Sequence, residues 1–128
     1  SEQFAKMERH ADHFTREEDH GSLGIICKTN ADAQKLHEKL SKTCHVHLLS
    51  PDRGQFKKGV SVTSIQMAKG LEFDEVIIMD ADQETYATDY DRSLLYIACT
   101  RAMHRLTLLH TGELSRLIVS GQEPCQHL

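Results

Sequence analysis

The sequence predicts an α/β domain, a mainly parallel sheet layered with helices. Apolar runs of strand length recur along the chain at Leu23–Lys28, Val46–Leu49, Val60–Ile65, Val76–Met79 and Leu106–Leu109, roughly five in all. Segments with apolar residues three and four apart alternate with them, as helices crossing over a sheet would require. Only ten residues separate Val60–Ile65 from Val76–Met79, enough for a short helical crossover between parallel strands.

The stretch from Val60 to Asp82 (VSVTSIQMAKGLEFDEVIIMDAD) organises the rest. Val60 and Val62 alternate with Ser61 and Thr63, which marks a strand near a sheet edge. Val76-Ile77-Ile78-Met79 is continuously apolar, which marks a strand buried on both faces. Gly70 is the expected hinge between them, free to take positive φ or to let another backbone approach. Glu72 stands between Leu71 and Phe73, where a two-sided sheet would prefer an apolar residue. A carboxylate at the mouth of a parallel sheet suits a sugar hydroxyl. Pattern alone favours the plainer reading, a solvated turn residue.

The remaining elements follow in chain order. Phe4, Met7, Ala11 and Phe14 give residues 2–18 an amphipathic helix that would cover the sheet or a partner domain. Leu23–Lys28 runs into Thr29-Asn30-Ala31-Asp32, a capped start for a helix whose buried stripe is Ala33, Leu36 and Leu40. Lys28 stands at the carboxyl end of its strand, where ligands of open α/β sheets bind; a solvated strand-end lysine fits equally well. Ser50–Gly59 is a polar connection, and Asp80–Asp91 an acidic loop of solvated turn residues. Asp91–Met103 reads as a helix. At about 100° per residue, Ile97, Leu94, Ala98, Ala102 and Leu95 share one arc, and Arg101 falls inside it. An arginine there is costly unless an anion meets it, either an internal carboxylate or a phosphate at a domain edge. Leu106–Leu109 is the last strand, Glu113–Val119 a short helix, and Gly121 and Pro124 close the domain.

The totals narrow the function. At 128 residues the chain makes one domain, 1–128, with 39% hydrophobic and 27% charged residues, ordinary for a globular protein. No run approaches the ~18 apolar residues of a membrane span, and the start SEQFAKMERH lacks a signal-peptide core, so a cytoplasmic domain without membrane contact is expected. A net charge of −4 argues against a self-sufficient nucleic-acid binder. The four cysteines lack paired spacing, which speaks against a disulfide framework. Cys44-His45-Val46-His47 reads as a half-exposed strand rather than a zinc site, and no metal site is expected.

Three segments carry a resemblance. TSIQMAKGLEFDEVII is similar to the fifth motif of superfamily 1 helicases of the UvrD/Rep type, LLYIACTRA to their sixth, and IICKTNA to their fourth. They stand in the family's order and cover most of residues 23–110. The wording GLEFDEVII and LLYIACTRAMHRL, and the short Ser50–Gly59 connection where relatives insert a large domain, resemble the HelD-like branch associated with RNA polymerase.

The resemblance implies a RecA-like, P-loop NTPase-type three-layer domain lacking its own phosphate loop: no GxxxxGK[ST] occurs. It implies the second motor domain of an ATP-dependent DNA helicase or translocase. ATP with Mg²⁺ would be bound mainly by a separate N-terminal Walker-type domain, and the fragment alone would be inactive. Arg101 is then the arginine finger on the γ-phosphate. Lys28, where the family commonly has Arg, would reach the same phosphate, and Glu72 with Gly70 would meet the ribose. Ser64 and Gln66 would contact single-stranded DNA, with Gln66 in place of a common His. Arg92 and Arg105 would assist at the cleft or be solvated helix-end charges. The alternative implied by the HelD-like wording is a remodelling module docking on RNA polymerase.

Overall fold

A computed structural model describes residues 2–16, 21–49 and 58–119. Helix α1 (Glu2–Arg16) precedes strand β1 (Ser22–Cys27), helix α2 (Asn30–Leu40) and the two-residue strand β2 (His47–Leu48). Then come β3 (Gly59–Ser64), the single turn α3 (Ile65–Ala68), β4 (Phe73–Ile78), α4 (Asp89–Cys99), β5 (Ala102–Leu108) and α5 (Arg116–Val119). The five strands form one sheet in the order β2-β3-β1-β4-β5, every pairing parallel. The expected architecture is the observed one.

Alternation along the central strands makes the three layers. Ile25 of β1 and Ile77 of β4 face one side, where Met7, Ala11 and Phe14 of α1 and Ala33 and Leu40 of α2 close over them. Their neighbours Ile26 and Ile78 face the other side, against Ile65 and Ala68 of α3 and Leu95 and Ala98 of α4. Strands packed on both faces read as unbroken apolar runs, which is why β4 stood out in the sequence. α1 thus covers the sheet. Gly24, midway along β1, gives close approach to an aromatic ring: a Cβ there would lie 2.7 Å from the ring of Phe73.

Several expectations need correction. α4 ends at Cys99 rather than Met103, because the Phe73 N–H donates to the Arg101 carbonyl at 2.9 Å and Ala102 already pairs with Phe73 in the sheet. The wheel that put Arg101 on a helical apolar arc therefore does not apply. The last helix is shorter than Glu113–Val119. Asp91, expected as a solvated loop residue, is buried. Among the cysteines of the described residues, Cys27 and Cys44 are free, and burial pushes the Cys27 thiol up to about 12, helped by Asp32 and Asp80; Cys99 is disulfide-bonded. Most of the connection 50–59, and Gly121 and Pro124, lie outside the described residues. Among those described, no helix is long and apolar enough to cross a membrane.

Candidate functional site

Because the sheet is parallel, its two rims are chemically distinct, and the candidate residues divide between them. β1 runs for six residues, so at about 3.3 Å per residue the rims stand roughly 20 Å apart.

Gly70, Glu72 and Arg101 gather at the amino rim. α3 starts on its N-cap Ser64, whose hydroxyl accepts from the Met67 N–H at 3.2 Å. The turn then closes with the Leu71 N–H donating to the Ala68 carbonyl at 3.0 Å. Gly70 takes φ +82°, the left-handed region where a side chain would be strained, although a Cβ would meet nothing within 4 Å. Conformation, not space, calls for glycine here. The reversal leaves Glu72 exposed beside the start of β4 and turns the Leu71 carbonyl toward β5.

Arg101 reaches that carbonyl. Its Nη1 donates to Leu71 O at 3.2 Å, its Nε to Ile97 O at 3.2 Å and its Nη2 to Thr100 Oγ1 at 3.3 Å. All three acceptors are neutral. Among the described residues no carboxylate forms an ion pair with this half-buried guanidinium. The group is held in a fixed pose while its charge stays uncompensated and some of its N–H donors stay unused.

The carboxyl rim treats its cation in the opposite way. Lys28 Nζ lies 2.8 Å from Asp91 Oδ1, donates to Thr85 O at 2.6 Å and sits 5.5 Å from the centroid of the Tyr86 ring. The other carboxylate oxygen of Asp91 accepts from the Ala87 and Thr88 N–H groups at 2.9 and 3.0 Å. The Thr88 hydroxyl accepts from the Asp91 N–H at 3.1 Å, completing a capping box at the start of α4. Burial alone would raise the pKa of Asp91. The hydrogen bond from Lys28 and those from Thr88 and Ala87 outweigh it and hold the carboxyl well below the usual range. Tyr86 is fully buried beside this pair, and burial pushes its phenol up, with Cys27 and nearby carboxylates adding to the effect.

The expected joint reach of Lys28 and Arg101 to one phosphate is thus not what the fold presents: they sit on opposite rims, and Lys28 is committed to Asp91. Ser64 is also displaced from its expected contact role. It is 1% exposed, and its hydroxyl donates to Asn30 Oδ1 while capping α3. Gln66, on the outer side of α3, is exposed. Arg92 and Arg105 are exposed too, with Arg105 beside Glu75 in the β4–β5 register. Two cavities of about 240 and 330 Å³ open beside α1; neither is lined by Gly70, Glu72 or Arg101. Gly70 and Glu72 are exposed, and Arg101 is half-buried. Among the described residues no cluster of three metal-ligating side chains occurs.

Sequence reasoning missed Asp91, though Thr88-x-x-Asp91 is a capping-box spacing, and missed Gly24, whose role depends on a ring that only the fold brings near.

Comparisons with known proteins give the family and the fold. Residues 59–109, which run from β3 through β5 and so include both rim clusters except Lys28, match the family of UvrD-like helicase C-terminal domains. No curated protein matches the chain. Among solved structures, the crystal structure of the C-terminal domain of a possible DNA helicase from Lactobacillus plantarum WCFS1 superposes with a TM-score of 0.79. It is 34% identical, over 98% of this chain and 77% of the other.

Proposed function

From a chain that belongs to the UvrD-like helicase C-terminal domain family, we propose the second motor domain of an ATP-dependent DNA helicase or translocase. It completes an ATP site across a cleft from an N-terminal Walker-type domain of the same parent protein and couples hydrolysis to movement on single-stranded DNA. The observation that carries this reading is Arg101: a guanidinium held in place by neutral acceptors at the amino rim, near exposed Glu72. Charge that is oriented but not neutralised is what stabilisation of a phosphoryl-transfer transition state needs.

The residues at this rim fit the anionic and sugar parts of a nucleotide. Unused N–H donors of Arg101 suit phosphate oxygens, and the Glu72 carboxylate suits ribose hydroxyls. Gly70, in its left-handed conformation, makes the reversal that brings Glu72 to the rim. ATP, with Mg²⁺ held mainly by the Walker-type domain, supplies the phosphoryl group and the free energy. Exposed Gln66 contacts the nucleic acid; Ser64 and Lys28 serve the framework. The net charge of −4 leaves most of the strand-binding charge to the rest of the parent. A cytoplasmic setting goes with this reading.

The narrower HelD-like affinity and an RNA polymerase partner rest on the sequence wording alone. The test is hydrolysis by a parent protein containing both domains. Arg101→Ala should lower nucleic-acid-stimulated kcat by about 10³-fold or more, the usual worth of an arginine finger. Unchanged hydrolysis would remove the assignment.

A further inference from the structure

The ion pair at the carboxyl rim has no partner role in the reading above, yet Lys28 meets a carboxylate and a carbonyl, and Asp91 accepts two backbone N–H groups besides. Lys28 follows β1, the central strand; Asp91 is the third residue of α4. Between them the pair fastens the first turn of α4 to the middle of the sheet. The helix then runs 11 residues, about 16 Å at 1.5 Å per residue, down to the amino rim. There two of the three acceptors holding the guanidinium, Ile97 O and Thr100 Oγ1, belong to its last turn and C-cap. The Arg101 N–H itself donates to Ala98 O at 3.2 Å. The pose of the guanidinium is therefore referenced in large part to α4, whose first turn is held by Lys28 and whose last residue, Cys99, is held by its disulfide.

We propose that Lys28 and Asp91 are positioning residues for Arg101, a clamp at one rim that sets where the helix presents the guanidinium at the other. This rests on the assignment of Arg101 to hydrolysis. A helix is stiff along its axis, so release of its first turn moves its last one. A displacement of about 1 Å at a reacting centre costs on the order of 10²-fold in rate. The direct alternative, Lys28 on the phosphate, would require the ammonium to leave a carboxylate at 2.8 Å and a carbonyl at 2.6 Å and to act from the opposite rim.

The experiment measures ATP hydrolysis in the two-domain parent for Lys28→Met, Lys28→Arg, Asp91→Asn, Arg101→Ala and the Lys28→Met/Arg101→Ala pair. Amide hydrogen exchange across α4 is measured in this domain. Lys28→Met and Asp91→Asn should each lower kcat by about 10²-fold, with KM for ATP nearly unchanged, and Lys28→Arg should restore most of the loss. Added to Arg101→Ala, Lys28→Met should cost nothing more, because the residue it positions is gone. Exchange should quicken both in the first turn of α4 and at the Arg101 amide. Equal losses with and without Arg101, or a rise in KM with kcat kept, would overturn the proposal. If Lys28→Met fails to fold, Asp91→Asn and Lys28→Arg carry the same comparison. An Arg101→Ala enzyme that hydrolyses normally counts against the function assigned to Arg101. In that case, unchanged exchange at the Arg101 amide in the Lys28 and Asp91 variants would separately sink the clamp.

Discussion

The two rims of this sheet each carry a cation, and the fold deals with them in contrary ways. At the carboxyl rim Lys28 meets a buried carboxylate, a carbonyl and an aromatic face. At the amino rim Arg101 meets two carbonyls and a hydroxyl and, among the described residues, no carboxylate. A buried charge without a counter-ion is costly, so neutralised Lys28 reads as framework. Half-buried Arg101, steered by neutral acceptors, keeps its charge for something outside the domain. The difference teaches that a strand-end position alone does not decide whether a basic residue serves a ligand; what occupies its donors does.

The largest expected effect breaks the neutralised side. Lys28→Met should cost about 3 kcal/mol or more in unfolding free energy, because Asp91 is then left buried without its cation; urea unfolding of this domain measures it. The same pair gives a pH signature. The pKa of Asp91 is depressed on folding, so its stabilisation is fully present above the ordinary carboxylate pKa of about 3.9 and is lost as pH falls below it toward the folded value. Stability should therefore drop on acidification below about pH 4, by up to about 1.4 kcal/mol per pH unit from this group. Asp91→Asn should flatten that segment of the profile.

Gly24→Ala tests the support beneath the amino rim. The added Cβ would press on the Phe73 ring at 2.7 Å, and Phe73 is the residue directly after Glu72. A loss of about 1–3 kcal/mol is expected from overpacking, with a melting curve as the readout. The smallest effect belongs to Ser64→Ala, which removes the N-cap of α3 and its link to Asn30. Thermal melts should show a loss of about 1 kcal/mol. Single-stranded DNA affinity of the parent should hold, since the hydroxyl faces no solvent.

How much of this was legible in the sequence follows the range of the interactions. β3 and β4 could be read as strands because their patterns are local, alternation in Val60–Thr63 and an unbroken run in Val76–Met79, although Ser61 and Thr63 are buried and β3 is paired on both sides. The Gly70 reversal was legible for the same reason, and its positive φ bears out the hinge. The end of α4 was not legible, because a sheet partner, Phe73, captures the Arg101 carbonyl before the helix pattern runs out. Nor was the burial of Asp91, whose partner Lys28 follows β1, far back in the chain. The candidate residues themselves were readable as types. Their division between two rims emerged only from the strand register, which places Arg101 before β5 and Lys28 after β1.

The contrast between the rims comes down to whether the domain needs the Arg101 charge to stand. The unfolding free energy of Arg101→Ala in this domain measures that directly. A value within about 1 kcal/mol of the parent sequence is expected, since the lost hydrogen bonds are to partly exposed neutral groups that water can serve. A loss as large as that of Lys28→Met would instead make the guanidinium a piece of the framework, with no charge held back for a ligand.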